Sequence, residues 1–536
     1  MKKILYPFGL ALAVVVGIAI GHRITQMQNT TRLWGGRNTF STSAEAGKFG
    51  ALFNLINDKY VDSVDVDSIA EAAIPTILEN LDPHTVYLSN TDMQIANDDL
   101  EGSFSGIGVQ FSIEEDTVMI SNVISGGPCE KKGVRAGDRI VKVDDNDFTG
   151  KSINNNFVVK TLRGKKGSHV KLGIFRKGNK DLIDFDIVRD DISVSSIDIS
   201  YMIAPEVGFV RVNKFGENTY REFMQSLISL KAKGAKRFIV DLRENPGGYL
   251  KAAIDMVNEF LMKDQKIVYT RGRTDKDRED YFANGKGLFQ DYPITVLINE
   301  WSASASEIFA GAMQDNDRGT VIGRRSFGKG LVQQSYPLDN SSEVRLTIAR
   351  YYTPSGRCIQ KPYKNEKIYT DEIMERYSKG EMEDSSKYKH DDQEEKFTTV
   401  GGRVVYGGGG ITPDVFVGVN KQGVNSYFRA LNDRVLYDFA FFYTDSNREH
   451  LLKYKTKEDL IRFLNSQGLE QKLADYAKKK AGIKVNPTML NESKSLIQNR
   501  LNACIVRSFF GDEGFFSVLN EIDPVVKKAL SFNLEK

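Results

Sequence analysis

Between about residues 195 and 360 the chain alternates strand-like segments with segments that have the apolar period of helices. The strand-like segments are 207–212, 238–242 and 294–299, and the helix-like segments are 219–233, 249–261 and 303–314. Such alternation is typical of a parallel sheet covered by helices, because parallel neighbours need a crossover connection. The pattern predicts an α/β core, and the 536 residues leave room for two or three further domains at roughly 150 residues each.

The flanking segments each have their own pattern, and together they predict a multidomain α+β protein. We divide the chain into a signal anchor or signal peptide (1–28), a linker (29–43), an N-terminal helical region (44–101), a β-rich module (102–190), the α/β core (191–420) and a C-terminal helical domain (421–536). Residues 364–396 form a charged excursion from the core, in which 379–396 contain no Ile, Leu, Val or Phe. We expect residues 379–396 to be mobile, because a segment without such side chains buries little apolar surface.

The first residues predict where the protein resides. Lys2 and Lys3 precede an almost wholly apolar run at 4–20. A run of this length is at the short limit for a bilayer span, and no clear Ala-x-Ala cleavage site follows, which favours an uncleaved anchor over a removed signal peptide. The positive-inside rule then places the remainder outside the cytoplasm. We expect a cell-envelope protein on the periplasmic side, anchored in the inner membrane.

Composition excludes several classes of function. Lys and Arg number 73 against 71 Asp and Glu, and a net charge of +2 is too balanced for a chain-wide phosphate-binding surface. Nucleic acid is therefore not an expected partner. The three cysteines show neither a CxxC motif nor a paired Cys/His spacing, so neither a disulfide framework nor a structural zinc site is indicated.

A serine follows the third core strand at the start of a helix. Ser304 lies in the segment 301–307, where a strand-to-helix turn would expose its hydroxyl beside the free N–H groups of the first helical turn. These groups favour an oxyanion. The same residues, Ser304 and Glu307, also form a capping box, which stabilises a helix without any catalytic role. Taken alone, the segment favours the cap.

A nucleophilic serine needs a base, and none of the five histidines falls within the alternating core. Lysine is the other choice when burial or nearby positive charge lowers its pKa. Lys329 is the candidate, in the glycine-flanked turn 327–330. Most lysines in such turns are simply solvated, so this pairing is also modest by itself.

A third element lies between a core strand and the next helix, at 241–248. Its adjacent Gly247 and Gly248 precede the helix, where backbone N–H groups can be presented to an anion as half of an oxyanion hole. A tight β-to-α connection is the more frequent use of Pro-Gly-Gly.

Together these segments closely resemble the carboxyl-terminal processing (tail-specific) serine proteases. The likeness covers about residues 45 to 420 and is carried by 241–248, 302–307, 310–315, Gly323, 327–330 and Gln333, with the shorter landmarks 81–84 and 412–414. The resemblance implies a Ser/Lys endopeptidase that needs no metal or cofactor. It assigns Ser304 as nucleophile, Lys329 as general base and Gln333 as the residue that orients the lysine. The N–H groups of Ala305 and of Gly247 or Gly248 would form the oxyanion hole.

The resemblance makes the β-rich module 102–190 a PDZ domain inserted before the protease core. Residues 105–109 look like its carboxylate-binding loop, in which the N–H groups around Ile107, Gly108 and Val109 would capture the C-terminus of a substrate while the tail adds a strand. The implied partners are proteins or peptides with free C-termini. Without the neighbouring protease signature, a hairpin with no ligand would be the preferred interpretation.

Two parts of the chain depart from the family pattern, the charged excursion and the region beyond Lys421. Homodimerisation, substrate delivery and docking to an adaptor are the roles open to them. We expect Asp315, on the helix after Ser304, to be structural. The alternative function, from a different class, is a PDZ scaffold of the same fold that binds tails and no longer cleaves; the presence of both Ser304 and Lys329 favours the enzyme.

Overall fold

The computed structural model describes residues 44–532 except 115, 125, 177, 340–341, 364–365, 389–394 and 433. The predicted anchor and linker (1–43) lie outside the described residues. Within the described part, no helix is both long and apolar enough to cross a bilayer. The chain divides into two compact units, the first ending at Ile77 and the second beginning at Leu78.

In the described part of the first unit, α1 (Ala44–Lys59) is followed by α2 (Val66–Leu78), whose last residue belongs to the second unit. Apolar Phe49, Leu52, Phe53 and Ile56 recur at helical spacing in α1. Phe49 and Leu52 are about half exposed. The predicted N-terminal helical region 44–101 therefore begins with two helices.

The second unit begins with β1 (Val86–Leu88), α3 (Asn90–Glu101) and β2 (Ser103–Gly106), which lead into the β-rich module. The module contains β3 (Val109–Glu114), β4 (Thr117–Val123), α4 (Pro128–Lys132), β5 (Arg139–Val143), β6 (Asn146–Asp147), α5 (Asn155–Leu162), β7 (His169–Phe175) and β8 (Ile183–Val188), and β9 (Asp190–Ser193) follows. Its antiparallel sheet has the order β3-β4-β5-β7-β8, with β6 on β5. Because β2 pairs with β9, the chain enters and leaves the module at one place.

The core follows, and its alternation of strands and helices confirms the predicted α/β class. Its elements are β10 (Ile197–Ala204), β11 (Val207–Val212), α6 (Thr219–Ala232), β12 (Arg237–Asp241), α7 (Leu250–Asn258), β13 (Lys266–Arg271), β14 (Arg278–Phe282), β15 (Ile294–Ile298), α8 (Ala305–Asp315), β16 (Gly319–Gly323), β17 (Leu331–Pro337) and β18 (Glu343–Tyr352). The main sheet continues from β10 through β11, β12, β15 and β16, and its pairs from β11 onwards are parallel. The segments that carry the predicted site thus follow the carboxyl ends of adjacent strands, where open α/β sheets bind ligands.

A second, antiparallel sheet in the core has the order β1-β18-β13-β14, with β17 also paired to β18. Strand β1 contributes through its register of Val86 opposite Arg345. This pairing brings the segment before β1 to the core. Residues 81–84, placed at sequence level in an N-terminal helical region, therefore lie beside β17 and β18.

The described part of the charged excursion 364–396 packs on the core. Within 379–396, where mobility is expected, Glu381 and Met382 are buried. Residues Glu366–Ser378 form α9, in which Tyr369, Ile373 and Arg376 are buried. Arg325 and Arg376 form ion pairs with Glu381, and Glu372 also contacts Arg325. The high charge of the segment indicates solvation, but these side chains instead neutralise one another on the core. Residues 389–394 lie outside the described residues.

After α9 the chain adds β19 (Lys396–Thr398), β20 (Val404–Tyr406) and β21 (Val415–Phe416), and β21 extends the main sheet beside β16. The C-terminal part consists of α10 (Ser426–Asn432), α11 (Val435–Leu451), α12 (Lys457–Asn465), α13 (Leu469–Ala481), α14 (Pro487–Asn520, with a kink at Gly511) and α15 (Pro524–Phe532). Helices α10 to α14 enclose their own apolar core. Helix α15 instead buries Val525, Val526 and Ala529 against the main sheet.

Candidate active site

Ser304 occupies the sharp turn between β15 and α8 in a strained conformation. Its φ of 55° and ψ of −115° lie outside the favoured regions for a residue with a side chain. The serine of a nucleophile elbow lies on such a strained strand-to-helix turn. The neighbouring Ser302 and Ser306 are fully buried, and their hydroxyls donate to the Leu242 and Asn245 carbonyls. Ser304 is partly exposed, so it is the serine of this motif that a substrate can reach.

Glu307 links the serine segment to the lysine segment. One carboxylate oxygen, Oε2, accepts from the backbone N–H groups of Ser304 and Lys329, both at 2.9 Å. The other, Oε1, accepts from Gly328 N at 2.7 Å and from Ser326 Oγ at 2.5 Å. Burial raises the pKa of Glu307 to about 7. The predicted capping box of Ser304 and Glu307 is thus present, and the Glu307 side chain also holds the turn that carries Lys329.

Lys329 is partly buried, and its amine donates to Gln333 Oε1 at 3.1 Å. Burial lowers the pKa of Lys329 below its ordinary value. Tyr351 contributes a second link, because its hydroxyl lies 2.6 Å from the Lys329 carbonyl oxygen and 3.1 Å from that of Ser304. Among the described hydrogen bonds, none joins the Ser304 hydroxyl to the Lys329 amine. The structure thus tethers the two segments through Glu307 and Tyr351, while the amine is engaged by Gln333.

The glycines of 241–248 lie against the serine turn, but their N–H groups differ. Gly247 has a φ of 104°, and a Cβ there would lie 2.7 Å from the Ser304 Cβ, so a side chain is excluded. Its N–H already donates to Asn245 Oδ1 at 2.9 Å. Among the described hydrogen bonds, none uses the N–H of Gly248 or of Ala305 as donor. Of the two glycines, Gly248 is therefore the one with an N–H available for an oxyanion.

A buried ion-pair network supports that loop. Arg243 binds Asp241 with two parallel hydrogen bonds, of 2.9 and 2.7 Å, and Asp241 is fully buried. Burial alone would raise the pKa of Asp241, yet the charges of Arg243 and Arg211 lower it. Arg243 also donates to Asp523, just before α15, at 2.7 Å. Asp523, just before α15, thus helps to hold the loop 241–248 beside Ser304.

His84 and Tyr369 are neighbours of the site that sequence analysis did not assign. The His84 carbonyl accepts a hydrogen bond from Gln333 Nε2, and the His84 ring nitrogen Nε2 lies 2.5 Å from the Tyr369 hydroxyl. Burial, followed by the Lys329 charge, lowers the pKa of His84 to about 4, so this imidazole is neutral at pH 7. In the sequence, residues 81–84 are only a landmark of the resemblance. No local sequence pattern indicates Tyr369, which lies in the charged excursion 364–396.

Asp315 makes the structural contacts expected of it. It is fully buried and pairs with the buried Arg357 at 2.7 Å. It also accepts from the backbone N–H and the hydroxyl of Ser355, at 3.1 and 2.6 Å. In the described part of the chain, no group of three or more His, Cys, Asp or Glu side chains is arranged to hold a metal ion.

Replacing Asp315 with alanine is expected to lower the free energy of unfolding of the core by about 3–5 kcal/mol, because the buried Arg357 charge loses its partner. Urea denaturation of the variant beside the wild type measures the loss. Asp275→Ala is a suitable control, since it removes an exposed ion pair with Arg271 and should cost less than about 1 kcal/mol. Equal losses in both variants would contradict the structural role of Asp315.

The predicted carboxylate loop lies at the start of an open sheet edge. Strand β3 pairs with β4 and is the last strand on its side of the described sheet. Just before β3, the N–H groups of Ile107 and Gly108 donate no hydrogen bond among those described. Helix α5 ends beside this loop, where Gly164 N donates to the Ser105 carbonyl at 3.3 Å. Free N–H groups at the start of an unpaired edge are what a strand-adding peptide tail requires.

Comparison with known proteins identifies the family. A model described as Peptidase family S41 matches residues 206–370, a PDZ domain model matches 105–187, and a family of unknown function (DUF8443) matches 426–511. The carboxy-terminal-processing protease of Bartonella bacilliformis is 38% identical over 327 residues, which are 60% of this chain and 74% of that protein. Carboxy-terminal processing protease CtpA of Bacillus subtilis is 32% identical over 363 residues, 67% of this chain and 76% of that protein. The solved photosystem II D1 C-terminal processing protease is 24% identical, with a TM-score of 0.34, and the match covers 70% of this chain and 94% of that chain.

The chain belongs to peptidase family S41, the carboxy-terminal processing serine proteases, and carries a PDZ domain. The predicted family, fold class and enzyme class are therefore confirmed. The matched protease and PDZ segments contain the serine turn, the lysine turn and the carboxylate loop described above.

Proposed function

We propose that this chain is a Ser/Lys endopeptidase that cleaves proteins near their C-termini and recognises them through its PDZ domain. The observation that carries the proposal is the partly exposed, strained Ser304, tied through one buried carboxylate to the turn of a lysine with a lowered pKa. Strain at a non-glycine residue is common at functional sites, where surrounding contacts maintain it. The shared bonds to Glu307 keep the serine segment and the lysine segment adjacent.

In the proposed reaction, the neutral Lys329 amine takes the proton of the Ser304 hydroxyl as Oγ attacks the peptide carbonyl carbon. The carbonyl oxygen becomes an oxyanion that accepts hydrogen bonds from the N–H groups of Ala305 and Gly248. The Lys329 ammonium then protonates the leaving nitrogen, and an ester to Ser304 remains. Water, deprotonated by the same amine, hydrolyses the ester and restores the serine.

In the described conformation, the Lys329 amine donates to Gln333. The Lys329 amine must exchange its contact with Gln333 for one with Ser304, and hydrogen bonds of apo sites often tighten only with substrate bound. Gln333 is itself held by the His84 carbonyl. We infer that Gln333 holds the amine close to the serine until substrate arrives.

For recognition, the N–H groups of Ile107, Gly108 and Val109 would receive the terminal carboxylate while the tail pairs along β3. Amidating the C-terminus of a peptide ligand removes its charge and is expected to weaken binding at least about tenfold, since hydrogen bonds to charged groups contribute about 1.5–3 kcal/mol. Fluorescence anisotropy with matched acid and amide peptides measures the difference. Equal affinities would show that this loop does not bind the carboxylate.

The same measurement, combined with a cleavage assay, tests the alternative of a non-cleaving scaffold. A scaffold binds acid-ended tails and leaves an unstructured reporter intact, whereas the proposed enzyme binds and degrades it. We also propose an envelope location, with the chain anchored by residues 4–20. That proposal depends on the charge and apolar pattern of the first residues, and membrane fractionation with and without residues 1–28 tests it.

A further inference from the structure

The carbonyl of Ile113 points to the open edge of β3. In the β3–β4 hairpin, Glu114 lies opposite Thr117 and Ile113 lies opposite Val118. The pair that flanks a two-residue hairpin turn is hydrogen-bonded, so the next pair directs its N–H and C=O groups away from the partner strand. Val118 accordingly pairs with Ile140 of β5 on its other side. The Ile113 carbonyl therefore lies on the edge where a peptide tail would add.

A side chain from the C-terminal helical domain already binds that carbonyl. Arg434, immediately before α11, donates from Nη2 to the Ile113 oxygen, and its Nε lies 3.3 Å from Asp438 Oδ2. A second contact supports this placement. A Cβ on Gly137 of the PDZ module would lie 3.4 Å from Phe441 Cζ on α11. A cleft of about 610 Å³ is lined by both domains next to these contacts.

The distance along β3 from the carboxylate loop to Arg434 sets how many residues of a peptide tail can pair with this edge. Successive residues of an added strand advance about 3.4 Å, so a tail whose carboxylate lies at Gly108 reaches Ile113 after about four to five residues. At that point the edge carbonyl is occupied by a guanidinium. The guanidinium takes the space beside this carbonyl that the next residue of an added strand would need.

We propose that Arg434 is a specificity-determining residue that closes the far end of the tail-binding edge, so that the PDZ domain reads only about the last five residues of a substrate. The inference rests on the proposed function, because it needs a tail on β3. The C-terminal helical domain, which lies outside the matched protease and PDZ segments, thereby becomes part of the substrate site. Substrate residues more than five positions from the C-terminus then leave the edge of β3 beside α11.

The chemistry of arginine suits this position. The planar guanidinium bonds Ile113 through one nitrogen while another faces the Asp438 carboxylate, which holds the side chain in place. Lysine has a single ammonium on a flexible stem and cannot reproduce this fork. Arg434→Lys should therefore lose most of the length limit although the charge is kept.

The test measures the affinity of acid-ended peptides of three to ten residues for the full chain with Ser304→Ala, which prevents cleavage. With Arg434 present, affinity should rise with length up to about five residues and then stay constant. With Arg434→Ala, the longer peptides should gain a further three- to tenfold, about the worth of one added strand hydrogen bond. Arg429→Ala, an exposed arginine of α10, is the matched control and should follow the parent curve.

Two failures are distinguishable. If amidation weakens binding but the length curves with and without Arg434 coincide, the role of Arg434 is wrong and tail recognition by the PDZ domain stands. If acid and amide peptides bind equally at every length, the tail does not bind the loop, and both proposals are wrong. A gain in the Arg429 variant equal to that in the Arg434 variant would also overturn the inference.

Discussion

Ser304→Ala is expected to lower the cleavage rate of an unstructured reporter with a free apolar C-terminus by at least about 10⁴-fold. The alanine removes the atom that would form the ester, and water bound in its place is a far weaker nucleophile. The Ser304 backbone contact with Glu307 does not depend on the side chain, so the turn and the lysine segment should keep their geometry. The loss of full-length reporter over time, for wild type and variant in parallel, measures the effect.

A matched serine separates catalysis from folding. Ser466→Ala changes an exposed serine at the end of α12 and should leave the rate unchanged. The Ser304 variant should also bind acid-ended peptides with wild-type affinity, because the PDZ loop is a separate element. Unchanged cleavage in the Ser304 variant would refute the nucleophile assignment. Loss of both cleavage and peptide binding would point to misfolding instead, which thermal melting would reveal.

Lys329→Arg is expected to lower the rate by about 10³-fold or more. Arginine keeps the positive charge and much of the length but cannot deprotonate in a protein, so no base is left beside the serine. The ordered contacts of the turn, which run through backbone N–H groups to Glu307, are retained. Lys453→Arg, at an exposed lysine, is the control and should behave as wild type. Substantial activity in Lys329→Arg would eliminate the Ser/Lys mechanism.

The same base predicts the direction of the pH dependence. Only the neutral amine can accept the serine proton, and its fraction grows as pH rises through the pKa of Lys329. Burial lowers that pKa from the ordinary 10.5, so the rate should rise with pH along a limb that lies below pH 10.5. The rate measured across pH with a saturating reporter gives this limb. A rate that falls as pH increases from neutral would contradict a lysine base.

The periodicity of the chain predicted the core well. Strands Val207–Val212, Arg237–Asp241 and Ile294–Ile298 and the helices between and after them lie within a few residues of the predicted segments. Alternating crossovers leave few topologies for such a pattern, which explains the agreement. The serine and lysine candidates were placed at strand ends for the same reason, and the sheet brings their segments together.

The excursion at 364–396 was misjudged because polarity alone does not determine burial. Helix α9 buries Arg376, whose guanidinium donates to the carbonyls of Ser326 and Arg325 and contacts Glu381. Ser326 and Arg325 lie 50 and 51 residues away from Arg376 along the chain, whereas Glu381 is only five residues away. No window of sequence contains such a set, so a long-range ion network cannot be told from a solvated charge run by composition.

By itself, the sequence determined the α/β core, the family and the short motifs around Ser304, Lys329 and 247–248, because these depend on local periodicity and on contiguous residues. Only the tertiary structure decided that, among the hydrogen bonds of the described residues, the Gly247 N–H is used as a donor while those of Gly248 and Ala305 are not. It also decided that Glu307 bridges the serine and lysine turns and that Arg434 reaches the edge of β3. In each case, several groups compete for one hydrogen-bond donor or acceptor. Which of them forms the bond is decided only when segments distant in sequence pack together.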